Sequence, residues 1–156
     1  MNKDNFVEIL MIEDNPDDAE LALHALQSQN IVNFITHIPD GVEALEFLFG
    51  TGKYQDREIT HYPKMILLDL KLPKLSGLEV LEKIRANSHT KAIPVVVLTS
   101  SNQDPDIERA YELGVNSYII KPVDFDQFSE TIAKLGMYWA VLNTPHPPKD
   151  KTDESE

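Results

Sequence analysis

Short runs of β-branched and aliphatic residues alternate along the chain with longer stretches in which apolar residues recur at steps of three and four. These are the periodicities of buried strands and of helices with one apolar face. Residues 6–12 read as a buried strand. After it Asn15 is placed to cap a helix, Pro16 suits the first helical position, Asp17 and Asp18 favour the positive helix start, and Ala19, Ala22, Leu23 and Leu26 share one face. A strand over 34–38 and a helix over 41–49 follow, with Leu45, Leu48 and Phe49 directed inward, and then a polar loop over 50–62.

The second half repeats the alternation. Residues 65–70 are an apolar run that carries Asp69 near its end, which suits a central strand delivering a charge into a cleft. Residues 77–87 read as a helix with Leu78, Leu81 and Ile84 at core spacing. The three consecutive valines in 94–99 favour extended structure, and a helix over 104–113 closes on Gly114. A fifth strand over 117–120 leads to a last helix capped by Asp124, on which Phe125, Phe128, Ile132, Leu135 and Trp139 form a core stripe. Tyr138 lies off that stripe and is the better interface candidate. Five strand and helix pairs predict an α/β fold, doubly wound, with a parallel sheet covered on both faces. The domain is read as residues 6–144, and the Pro-rich, charged segment 145–156 is expected to be disordered because it has little to bury.

Composition narrows the function classes. The 156 residues suit one domain, and no apolar stretch approaches the roughly 20 residues needed to cross a bilayer. The first residues lack the basic and apolar parts of a secretory signal, so a cytoplasmic location is expected. With no cysteine there is no disulfide, thiolate nucleophile or Cys-bound zinc. A net charge of −12 repels nucleic-acid phosphates and anionic headgroups, so neither DNA nor membrane is an expected partner. His24, His37, His61, His89 and His146 show no pair at metal-ligand spacing and read as surface residues.

In an open parallel sheet the ligand crevice lies beyond the carboxyl ends of the strands, where the strand order reverses. Glu13 and Asp14 end the first strand, Asp69 the third, Thr99 and Ser100 the fourth, and Lys121 the fifth. Three carboxylates at one mouth repel one another unless a cation joins them. Oxygen-only donors suit Mg2+ or another hard divalent ion such as Mn2+, with phosphate oxygens completing the shell. A carboxylate nucleophile can form an acyl phosphate, with Lys121 neutralising the phosphoryl group and Thr99 donating a hydrogen bond to it. Taken singly, each residue has a plain alternative. Glu13 and Asp14 can cap the first helix, Asp69 and Lys121 can form a structural ion pair, Lys121 can snorkel to solvent, and Thr99 can be a simple strand residue. Joint placement after four strands favours the chemical reading.

The segments LMIEDN, MILLDLKLPKLSGLEVL, IPVVVLTSS and GVNSYIIKP resemble, in order, the motifs of the response-regulator receiver family, over about residues 6–142. The resemblance implies a CheY-like, flavodoxin-like (βα)5 fold with strand order 2-1-3-4-5. It implies Mg2+-dependent transfer of a phosphoryl group from a histidine kinase onto Asp69, with Lys121 and Thr99 assisting. Asp14 becomes a direct metal ligand, Glu13 a ligand through water, and the Lys71 backbone carbonyl a further ligand beside Asp69. Glu13 departs from the commoner Asp at its position. Thr99 and Tyr118 become the switch pair, and the Lys121–Pro122 bond is expected to be cis. The family consists of signalling modules that assist their own phosphorylation and dephosphorylation, with no organic cofactor.

Within the family the chain most resembles small response regulators that partner cyanobacterial phytochromes and related bacterial sensor kinases. That likeness implies a sensor kinase of this kind, a downstream protein partner, and a homodimer through the fourth helix, fifth strand and fifth helix. The segment after Thr144 is too short for an output domain, so the effect is expected to pass through a partner or self-association. The rival within the family is a degenerate receiver that acts as a phosphorylation-independent interaction module. A flavodoxin-type FMN or nucleotide binder needs a Ser/Thr/Gly-rich loop where EDNPDD offers carboxylates. A phosphatase of the haloacid dehalogenase type has a second Asp where Lys71 stands.

Overall fold

Strands that are apolar on both faces can be buried only in the middle of a sheet covered on both sides, and three segments here meet that condition. The computed structural model describes residues 9–28, 34–59 and 61–147. Strands β1 (Ile9–Ile12), β3 (Met65–Leu68) and β4 (Val95–Thr99) are buried throughout. The edge strands β2 (Ile35–Ile38) and β5 (Ser117–Ile120) are mostly half-buried. All pairings are parallel, in the order β2-β1-β3-β4-β5.

Helices α1 (Pro16–Gln27), α2 (Gly41–Phe49), α3 (Gly77–Ala86), α4 (Asp104–Glu112) and α5 (Phe125–Gly136) connect the strands and cover the sheet. Alternation along each strand divides the core in two. Leu10, Ile12, Ile66, Leu68, Val95 and Val97 pack with Leu45 and Leu48 of α2 and Leu81 and Ile84 of α3. Ile9, Met11, Met65, Leu67, Val96 and Leu98 pack with Ala22 and Leu26 of α1 and Phe128 and Ile132 of α5.

Caps fix where the helices begin. Asn15 Oδ1 accepts from the Asp17 and Asp18 amides at 3.0 and 3.1 Å, Asp40 from Glu43 at 2.7 Å, and Asp124 from Gln127 at 3.0 Å. At the amino ends of β4 and β5 one side chain joins several carbonyls. The Arg85 guanidinium donates to the backbone carbonyls of Lys91, Ile93 and Gly114 and to Asn116 Oδ1, which also accepts from the Val95 amide.

Several expectations need correction. β3 ends at Leu68, so Asp69 and Leu70 belong to the turn that follows, where the chain swings away toward α3. The polar loop 50–62 holds a short 3-10 turn at Gly52–Tyr54, and Arg57 pins the loop by lying over the Phe47 ring and donating to the Phe47 carbonyl at 2.7 Å. The last helix continues as a π-helical segment, Met137–Leu142, whose Ala140 carbonyl accepts from Lys64 Nζ at 3.2 Å. Phe125 is 77% exposed rather than core, because it opens α5 just past the end of β5, before the helix reaches the sheet. The Lys121–Pro122 bond is trans, the isomer favoured by about 0.5–1 kcal/mol in X-Pro sequences. Residues 6–8 and 148–156, where the first strand was expected to begin and the tail to be disordered, lie outside the described residues. No helix among the described residues is long and apolar enough to cross a membrane.

The turn after Asp69 is held by close backbone contact. Gly77 donates its amide to the Leu70 carbonyl at 2.9 Å, and a Cβ added there would stand 2.5 Å from Leu70 Cα and closer still to the Asp69 carbonyl oxygen. Lys74, at φ 69°, lies in the same turn and pairs with Asp40 at 3.5 Å. Gly77→Ala should therefore lower stability by about 1–3 kcal/mol, the usual effect of forcing an extra methyl into a packed site. Urea unfolding measures this, and an unchanged midpoint would mean the turn yields freely.

Candidate functional site

Because the strands run in one direction, their carboxyl ends lie along one edge, and backbone pairing continues just past each strand. The Asp69 amide donates to the Ile12 carbonyl at 3.0 Å, the Glu13 amide to the Ile38 carbonyl at 3.1 Å, and the Lys121 amide to the Thr99 carbonyl at 2.7 Å. Glu13 and Asp69 thus leave neighbouring strands, and Lys121 leaves β5 on the other side of β4, each with little freedom of backbone.

Their side chains meet. Lys121 Nζ lies 2.7 Å from Glu13 Oε1, 2.7 Å from Asp18 Oδ2 and 3.0 Å from Asp69 Oδ2. An ammonium has three N–H donors, so the three carboxylates occupy its full capacity. The second oxygens of Asp69 and Glu13 have backbone partners. Asp69 Oδ1 accepts from the Lys71 amide at 3.2 Å, and Glu13 Oε2 accepts from the Asn15 amide at 3.1 Å. Glu13 and Asp69 are buried, whereas Asp14 is exposed at the mouth, and each of these three residues offers an oxygen within 4.8 Å of the others.

One ammonium does not balance this much negative charge at low dielectric. Burial, together with a hydrogen bond to Asp69, pushes the Glu13 carboxyl up to about 7, against the pull of Lys121. Burial also works against charge on Asp69, but its hydrogen bond with Glu13, the Lys121 charge and the Thr99 hydroxyl outweigh it, and its pKa falls below the usual carboxylate value. For Lys121 burial disfavours the charge, yet hydrogen bonds to Asp18 and Glu13 and the charge on Asp69 raise its pKa. Asp69 is thus the ionised member of the pair and Glu13 the one that keeps a proton. A cluster of hard oxygen donors, open to solvent at Asp14 and short of positive charge, fits a small divalent cation.

The other expected residues lie close by. Thr99 is fully buried and its hydroxyl oxygen accepts from the Ser101 amide at 3.4 Å. Tyr118 is partly buried, and its hydroxyl donates to the Ser101 carbonyl at 2.9 Å. Ser100, at the strand end, is exposed, as is the Lys71 side chain. Three further residues escaped the sequence reading. Asp18, taken only as a helix-start acid, reaches Lys121. Buried Ser101 donates to Asp106 Oδ2 at 2.6 Å. His37, read as a surface residue, is half-buried, with Nε2 2.7 Å from the Glu13 carbonyl oxygen, because β2 ends beside β1. His89 is likewise half-buried, stacked on Tyr62. Only the position of Asp18, three residues after a capping Asn, could have hinted that it faces the strand ends.

The Glu13 shift has a consequence for stability. Its folded pKa of about 7 exceeds the ordinary 4.5, so its contribution is fully present below that ordinary value and is lost as pH rises through 7. Without divalent ions, unfolding free energy should therefore fall by about 1–2 kcal/mol between about pH 5 and about pH 8, after allowance for solvent screening. Glu13→Gln should flatten that slope in urea titrations, whereas an unaltered slope would assign it to other groups.

Comparison with known proteins places this geometry. The family model for the response regulator receiver domain matches residues 9–133. The chain is 40% identical to the probable methanogenesis regulatory protein FilR2 of Methanothrix harundinacea (strain 6Ac), over 90% of this chain and 88% of that one. It is 37% identical to the response regulator Rcp1 of Synechocystis sp. (strain ATCC 27184 / PCC 6803 / Kazusa), over 84% and 87% respectively. The Mn2+-bound crystal structure of Rcp1 superposes with a TM-score of 0.82 at 35% identity, covering 89% of this chain and 98% of that one. The phosphorylated cyanobacterial phytochrome response regulator RcpA gives the same TM-score of 0.82 at 35% identity, covering 89% and 97%. With the 2-1-3-4-5 sheet and an acidic cluster at its carboxyl edge, the chain belongs to the response regulator receiver domains of two-component signalling.

Proposed function

We propose that the chain accepts a phosphoryl group on Asp69 from the phosphohistidine of a sensor histidine kinase, in a reaction that requires Mg2+ or Mn2+. The observation that carries this reading is the Asp69 carboxylate, held ionised against Lys121 beside two further carboxylates. Asp14 and Asp69 would hold the ion directly, Glu13 through water, with the Lys71 carbonyl as a further donor. When bound, such an ion neutralises charge on the transferring group.

The chain's own residues do the rest. An Asp69 oxygen forms the new O–P bond as the P–N bond to the kinase imidazole breaks, and the imidazole leaves with the electron pair. Lys121 exchanges its contact with Asp69 Oδ2 for one with a phosphoryl oxygen, and the buried Thr99 hydroxyl donates to another. Receiver domains are signalling modules rather than classical enzymes, so the product matters for what it moves. Drawing Thr99 inward acts on the segment around Ser101, whose carbonyl holds the Tyr118 hydroxyl. Tyr118 and Thr99 are in this way the switch pair.

The output surface is the face of α4, β5 and α5, where Tyr111, Ile120 and Phe125 are exposed, and it serves a downstream protein or a second copy of the chain. The likeness to RcpA, a cyanobacterial phytochrome response regulator, supports a phytochrome-like kinase as the partner. A cytoplasmic location goes with this reading, supported by membership of the receiver family.

Asp69→Asn should abolish the hydroxylamine-labile label gained from acetyl phosphate and Mg2+, and retained label would overturn the assignment of the acceptor. Beryllofluoride with Mg2+ should shift the ring resonances of Tyr118 in NMR spectra of the wild-type chain. Ring signals that ignore beryllofluoride binding would sever Tyr118 from the switch.

A further inference from the structure

We propose that Asp18 is a resident competitor for Lys121, a positioning residue that limits how tightly the site holds a phosphoryl group. The inference rests on the phosphoryl site proposed above and adds a residue outside its expected machinery. Asp18 comes from the first turn of α1, 103 residues away from Lys121 in sequence, and its contact of 2.7 Å matches that of Glu13 and is shorter than that of Asp69.

The three carboxylates on Lys121 are not equivalent. Glu13 and Asp69 also belong to the oxygen cluster that fits a cation, so ion binding and phosphorylation both draw them away from the ammonium. Asp18 lies outside that cluster. Its backbone is fixed independently, since its amide donates to the capping Asn15 side chain at 3.1 Å. It therefore keeps its hold on one N–H donor while a phosphoryl group seeks the others. A carboxylate sharing one ammonium with a phosphoryl group both repels that group and weakens its hydrogen bonds. Without Asp18 the donor is released and the repulsion removed.

The experiment measures beryllofluoride affinity in Mg2+ by 19F NMR, with the lifetime of label from acetyl phosphate as a second reading. Asp18→Asn and Asp18→Ala should each tighten beryllofluoride binding by about three- to fivefold, the upper range for a partly exposed ion pair, and lengthen the lifetime of the label. Asp17→Ala removes the same charge from the same turn without touching this contact, and its affinity should stay within about twofold of wild type. Affinity for Mg2+ alone should also stay within about twofold in the Asp18 variants, as Asp18 lies outside the oxygen cluster. On a Lys121→Gln background, Asp18→Ala should give no further tightening, since the effect acts through Lys121.

Unchanged or weaker binding in both Asp18 variants would overturn the proposal, as would equal tightening in Asp17→Ala or persistence of the effect without Lys121. A wild-type chain that binds no beryllofluoride would instead remove the phosphoryl site itself and this inference with it.

Discussion

Everything at the carboxyl edge of the sheet depends on a mismatch between one ammonium and the carboxylates around it. Lys121 meets three side chains at hydrogen-bond distance, yet its single charge does not offset the burial that, with the hydrogen bond to Asp69, raises the Glu13 carboxyl to about 7. Breaking such a partly buried pair from one side leaves an uncompensated charge, which is why the cluster has to be read as a whole. The apolar sheet beneath supplies the low dielectric that makes the mismatch costly, and the backbone pairing past each strand end keeps the charges from moving apart.

A metal and a phosphoryl group fit this arrangement for complementary reasons. In the proposed reaction a divalent ion would add positive charge where Glu13, Asp14 and Asp69 converge, and a phosphoryl group would give Lys121 a new anion in exchange for the Asp69 carboxylate. On the far side of β4, Thr99, Ser101 and Tyr118 form a chain of hydrogen bonds close enough to feel it.

Much of the fold was legible because hydrophobic pattern and capping chemistry agree locally. Asn15 and Asp124 mark helix starts by their side chains, and the valines of β4 favour extended structure over helix. The residues of the candidate site could be gathered from sequence because each ends a strand of a parallel sheet. Hydrophobic periodicity gave no sign of His37 and only the cap spacing hinted at Asp18; they reach the site from an edge strand and a helix turn through inter-strand register and side-chain length. Nor could periodicity tell that Phe125 precedes the sheet's reach, since a stripe records which face a residue occupies and not how far along the helix the partner surface begins. The isomer of Lys121–Pro122 was carried over from the family, and no local feature of the sequence specified it.

Arg85 anchors the amino ends of β4 and β5 by gathering three carbonyls and Asn116, as far from the charged cluster as these strands allow. The sheet accordingly has a stitched hem and an open hem. With the opposite ends of β4 and β5 tethered, the rearrangement proposed for Thr99 and Tyr118 would tilt the loops at the ionic edge rather than slip the whole β-ladder.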